Sequence, residues 1–132
     1  MLRALLLALV AVAIAVPAAF AGSPHFVGAL TFTVSGNTIT VSGKEAGLGN
    51  EEQVHIVLNA TAECVNRGGN HPKAANKTSV TAAGDFPVQN GKADFSLSAT
   101  AVFQPNPAGA CGDVRFTDVT VTDTTSGISA SL

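Results

Sequence analysis

Period-two alternation over residues 54–64 constrains this chain more than any other feature. Val54, Ile56, Leu58, Ala60, Ala62 and Cys64 share one phase, while His55, Asn59, Thr61 and Glu63 share the other. Successive side chains of a strand point to opposite faces, so this run is a strand with one buried and one solvated face. The pattern stops abruptly after Cys64. Through Lys77 the chain reads Cys-Val-Asn-Arg-Gly-Gly-Asn-His-Pro-Lys-Ala-Ala-Asn-Lys. A loop of that length is uncommon in a small domain unless it is functional or flexible.

Alternation recurs along the rest of the chain, and helical periodicity is nearly absent after the N-terminal segment. Leu30, Phe32 and Val34 alternate with Thr31 and Thr33, and Gly36-Asn37 suits a type II′ hairpin turn. That turn pairs Val34 with Ile39 and Phe32 with Val41, which keeps the apolar faces together. Lys44–Asn50 reads as a connection, and Thr78–Ala82 as a weak strand. Asn90-Gly91 suits a type I′ turn, predicting a hairpin that sets Phe86 against Phe95, Val88 against Ala93 and Pro87 against Asp94, with Pro87 marking an edge. In the last run, Val114 and Phe116 lie on one phase and Val119 and Val121 on the other. A β-bulge near Thr117-Asp118 would return all four to one face.

The N-terminus is a targeting segment. Arg3 precedes an unbroken apolar run from Ala4 to Val16, and Ala19-Phe20-Ala21 fits a small-x-small cleavage site. Residues 1–21 are thus expected to be a signal peptide, and residues 22–132 one secreted domain with no membrane insertion once the leader is removed. Loss of Arg3 leaves six Lys/Arg against nine Asp/Glu, a formal charge of about −3. These charges are scattered, which argues against a nucleic-acid partner. In an oxidising compartment, Cys64 and Cys111 are expected to form a disulfide. It would close a loop of roughly fifty residues and contribute about 4 kcal/mol by the chain-entropy model.

About seven short strands separated by turn signals predict an all-β fold, an antiparallel immunoglobulin-like β-sandwich with one disulfide. The cysteines sit at the end of one strand and just before the last. The bridge is therefore expected to tie two loops, 64–77 and 104–112, at one rim rather than to cross the core.

Chemistry-bearing constellations are sparse. No Gly-x-Ser-x-Gly elbow occurs, and local spacing puts no His beside a carboxylate. His55 is expected outward on its strand, as a solvated or hydrogen-bonded surface residue. Zinc spacing is absent. Asp113, Asp118 and Asp123, with Glu45, Glu51 and Glu52, offer hard oxygen ligands but no Asp-x-Asp spacing, and are read as solvated acids. No metal, cofactor or catalytic residue is expected. Trp and Tyr are absent, which removes the aromatic platforms that sugar binding commonly uses. Thr-x-Thr recurs at residues 31/33, 38/40 and 120/122, facing outward, as exposed strands favour. Two sequons, Asn59-Ala-Thr61 and Asn76-Lys-Thr78, matter only in a eukaryotic secretory pathway.

Four stretches carry a resemblance: Gly22-Ser-Pro-His-Phe26, Lys44-Glu-Ala-Gly-Leu-Gly49, residues 63–77, and residues 117–127 (Thr-Asp-Val-Thr-Val-Thr-Asp-Thr-Thr-Ser-Gly). Together they resemble a family of small exported β proteins, mainly of actinomycetes and other soil bacteria, whose function is unknown. The likeness spans the whole mature chain. It implies secretion and a shared β fold, and it brings no activity, cofactor or catalytic residue.

The functional expectation is a secreted, non-enzymatic binding module whose partner is an extracellular ligand or a cell-envelope component. Its candidate binding residues are Asn66, Arg67, Gly68, Gly69, Asn70, His71, Lys73, Asn76 and Lys77. Arg67, Lys73 and Lys77 suit an anionic partner, and the Gly pair permits unusual backbone angles. The alternative is a structural or envelope-associated surface protein. An uncharacterised hydrolase ranks last.

Overall fold

The computed structural model describes residues 23–65, 77–103 and 113–132. The expected leader, residues 66–76 and residues 104–112 lie outside the described residues. All regular structure described is strand: β1 (His25–Phe26), β2 (Thr31–Ser35), β3 (Thr38–Ala46), β4 (Gln53–Val65), β5 (Lys77–Pro87), β6 (Ala93–Thr100), β7 (Asp113–Asp123) and β8 (Ile128–Ser131).

Every pairing is antiparallel, and the strands form two sheets. In the first, β6 runs along one edge of β3 over Thr38–Glu45, and β2 pairs with the same part of β3. A strand has two edges, so β2 occupies the other one, with β1 preceding it along that edge. This sheet is therefore three lanes wide, β1/β2–β3–β6. The second sheet is four lanes wide, in the order β5–β4–β7–β8.

One apolar core draws on both sheets. Ile39 and Val41 of β3, Phe95 and Leu97 of β6, Ile56 and Leu58 of β4, and Val119 and Val121 of β7 are all buried in it. The inward phase of β4 is as the alternation predicts: Val54, Ile56, Leu58, Ala60, Ala62 and Cys64 are all buried. Phe95 holds the two sheets together with edge-on ring contacts, 6.1 Å between centroids, to Phe26 of β1 and to Phe86 of β5.

The first hairpin has the expected register, Val34 opposite Ile39 and Phe32 opposite Val41. Gly36 takes φ +59° while Asn37 keeps a negative φ, as a type II′ turn requires. The bulge is also present. Asn59 pairs with Thr120 but Thr61 pairs with Thr117, so β7 carries one extra residue opposite Ala60. Asp118 sits there at φ +51°. The slip returns Phe116, Val119 and Val121 to the core.

Three expectations are corrected. The Asn90-Gly91 turn forms, with φ +54° and +73° and a single bridge from Gln89 to Lys92. Its strands do not continue as a ladder, because β5 pairs with β4 and β6 with β3. Phe86 and Phe95 meet across the core rather than along a sheet, and Pro87 opposes Gln53 rather than Asp94. Pro87 does end an edge strand, where its missing N–H costs no ladder bond. Lys44–Ala46, read as the start of a connection, continues β3. The strand count is eight among the described residues, because β1 and β2 divide one lane and β8 adds a short lane unseen in the sequence pattern.

Candidate functional site

The two loops expected to form the working surface leave from one end of the molecule. Glu63 pairs with Lys77 across β4 and β5, and Val65 pairs with Asp113 across β4 and β7. Both stems of residues 66–76 and the C-terminal stem of residues 104–112 are therefore neighbouring rungs of one sheet, while the N-terminal stem of 104–112 follows β6 of the other. Glu63 is 6% exposed and its rung partners are Lys77 on one side and Arg115 on the other. An acid between two cross-strand cations is the favourable arrangement for a charge at a sheet end. The turn between β2 and β3 reaches the same end. There the Asn37 side-chain amide donates to the Ala101 carbonyl at 2.8 Å, and the Ala101 amide donates back to the Asn37 carbonyl at 2.8 Å.

Of the sequence-predicted binding residues, only Lys77 is described, exposed at the first position of β5. Asn66, Arg67, Gly68, Gly69, Asn70, His71, Lys73 and Asn76 lie outside the described residues, as does Cys111. Cys64 is 3% exposed, on the inward phase, with Val114 as its rung partner.

At the opposite end lies a group that the sequence reading assigned to solvent. Glu45 and Asp123 are 0% exposed. Glu45 follows Ile39, Val41 and Gly43 on the inward phase of β3, and Asp123 follows Val119 and Val121 on that of β7. One Asp123 oxygen, Oδ1, accepts from the backbone amides of Thr125 at 2.8 Å and Ser126 at 3.1 Å, which shapes the turn into β8. Both Glu45 oxygens, Asp123 Oδ2 and Ser126 Oγ are buried without a hydrogen-bond partner. Burial first, and then the Asp123 charge, push the Glu45 carboxyl up from 4.5 to about 8. Two ionised carboxylates have no hydrogen to share; a proton on Glu45 supplies one. The reading of these two residues as solvated acids is corrected. Asp113, Asp118, Glu51 and Glu52 are exposed as expected. No group of three His, Cys, Asp or Glu is placed to hold a metal ion among the described residues.

A His–carboxylate pair also emerges that local spacing does not reveal. His55 Nδ1 lies 2.8 Å from Asp85 Oδ1 across the β4–β5 ladder. A carboxylate only accepts, so this nitrogen carries the proton. Both side chains are about half exposed, 44% and 55%, which makes this a surface pair of small energetic weight.

The outer face of the three-lane sheet is an array of hydroxyls. Its rungs read Thr31–Ser42–Ser96, Thr33–Thr40–Ser98 and Ser35–Thr38–Thr100. Three of the cross-strand contacts are hydrogen bonds: Thr38 to Thr100 at 2.8 Å, Thr40 to Ser98 at 2.7 Å, and Ser42 to Ser96 at 3.1 Å. The expectation that Thr31, Thr33, Thr38 and Thr40 face outward holds. The strand registers add the serines of β6 to them.

No family model, curated protein or solved structure matches this chain.

Proposed function

We propose that this chain is a secreted, non-enzymatic binding module that offers a polar, disulfide-pinned rim to an extracellular ligand or cell-envelope component. The common origin of the two long loops carries this reading. Both stems of the first and the C-terminal stem of the second are adjacent rungs of one sheet, which supports a shared rim at that end of the domain. Arg67, Lys73 and Lys77 then favour an anionic or carboxylate-bearing partner.

Placement of Cys64 supports the bridge to Cys111. It is buried beside Val114, and Cys111 lies three residues upstream of Val114 in the chain. Three residues span at most about 10 Å, which covers the Cα separation of about 4.4–6.8 Å that a disulfide takes. Strand order supports an immunoglobulin-like sandwich: β1/β2, β3 and β6 follow the A, B and E lanes, and β5, β4, β7 and β8 the C′, C, F and G lanes. Export and kinship with the exported bacterial β proteins belong to the same reading.

A structural or envelope-associated role is the second reading, and the hydroxyl array favours it. A screen of the purified mature domain against glycans, cell-wall polymers and metal ions separates the two. On the first reading, capture of one ligand class is lost when Asn66, Arg67, Asn70 and His71 become alanine and the circular dichroism spectrum is unchanged. Capture that ignores those substitutions sinks it, and turnover of any substrate overturns the non-enzymatic assignment.

A further inference from the structure

The two sheets differ in width by one lane, and the deficit falls on one side. Lane order places β6 towards β5 and β2 towards β8, so the β2 and β8 edges lie on the same side of the molecule. Phe32 and Val34 of β2 share the inward phase of the buried Val41 and Ile39, yet they are 46% and 43% exposed. Neither belongs to the buried core cluster. Opposite them, Ile128 and Ala130 of β8 are only half-buried, and Leu132 on the same phase is 37% exposed.

This side also lacks the devices that keep sheet edges apart. Exposed edges are ordinarily blunted by charges, Pro or bulges. The far side has them: Lys77, Asp85 and Pro87 on β5, and Asp94 on β6. From Phe26 to Gly43, and again from Thr124 to Leu132, there is no Asp, Glu, Lys, Arg, His or Pro. The irregularity between β1 and β2 lies upstream of Thr31, which leaves five regular rungs on β2.

We propose that β2 is an interface between two copies of this chain, pairing antiparallel with β2 of the second copy about a twofold axis through Thr33. The pattern of this strand, Thr-Phe-Thr-Val-Ser, is self-complementary in that register. Phe32 opposes Val34 of the second copy on the inner face, and Thr31 opposes Ser35 on the outer face. A shift by one residue would set apolar against hydroxyl at every rung. No charge is buried or opposed anywhere along the seam. The pairing extends the hydroxyl array from three lanes to six and covers the exposed inward-phase side chains of both copies. A second copy fits better than a charged partner, because the edge offers no charge to meet one. The inference does not rest on the rim reading, since it uses a different part of the molecule.

Sedimentation equilibrium of the mature chain tests it. An interface this small falls near or below the low end of ~1,200 Å² for specific complexes, so a dimer is expected to form in roughly the micromolar to sub-millimolar range. Val34→Lys places like charges near one another at the seam and should weaken dimerisation by at least about tenfold. Val34 is exposed, so the variant should keep its fold. Cysteine substitution gives a second reading that does not need that variant. Cross-strand partners have Cα separations of about 4.5–5.5 Å, within disulfide range. Thr33→Cys should therefore form a covalent dimer with itself, and Thr31→Cys, whose partner is Ser35, should not. A chain that stays monomeric to about 1 mM, a dimer indifferent to Val34→Lys, or equal cross-linking at the two positions overturns the proposal. A dimer whose contact runs β2 onto β8, a head-to-tail arrangement, overturns it too.

Discussion

Raising the pH should destabilise this protein through one buried carboxyl. Glu45 is pushed from 4.5 to about 8, first by burial and then by the Asp123 charge facing it. An acid whose pKa is higher in the folded state holds its proton more tightly there. The stabilisation is full below about 4.5 and is lost as pH rises towards about 8, beyond which it changes no further. Each pH unit in that window is worth up to about 1.4 kcal/mol. Integrating the two titrations from about pH 5 to about pH 9 gives a loss of about 4 kcal/mol. A domain of this size has roughly 5–15 kcal/mol in total, so the loss is large. Urea unfolding of residues 22–132 and of their Glu45→Gln variant across that range isolates the effect. The amide cannot ionise, and its NH₂ can donate to Asp123 Oδ2. Other titrating groups act equally on both proteins, so the difference between the curves should fall by about 4 kcal/mol from acid to alkaline pH. Parallel curves would refute the argument, because they would mean that Glu45 gains no proton on folding.

Two further substitutions test the core and the N-terminal edge. Leu58→Ala removes a fully buried side chain from the central strand β4, and should lower urea stability by about 2–5 kcal/mol with the fold retained. Gly47 sits at φ +73°, and a Cβ there would lie 2.2 Å from the Ser23 carbonyl oxygen. Gly47→Ala should therefore cost more than about 1 kcal/mol and loosen residues 23–26, read as faster amide exchange at Phe26.

Face was legible in the sequence and partnership was not. Alternation assigned the inward phase of β4 correctly, and the phase slip in β7 located its bulge, because both are properties of one strand. The Asn90-Gly91 turn was legible for the same reason, since positive φ is a local demand. Which sheet each arm then joined was not, because β5 and β6 are drawn apart by β4 and β3, far away in sequence. The short β8 carries only Ile128 and Ala130 on its inward phase, too few positions to establish a period. Glu45 and Asp123 lay on inward phases visible in the sequence, two residues beyond Gly43 and Val121. The general preference of acids for solvent conflicts with phase at both positions, and phase prevails. His55 and Asp85 show the complementary failure: a separation of 30 residues hides a contact that one rung of the ladder makes.

The rim reading is tested most directly by an NMR titration of isotope-labelled residues 22–132 with whichever polymer or glycan the screen captures. The account predicts that shifts among the described residues concentrate at the loop stems, at Val65, Lys77, Phe103 and Asp113. Shifts centred instead on Thr33, Thr40 and Ser98, with the stems unmoved, would contradict it and assign binding to the hydroxyl face.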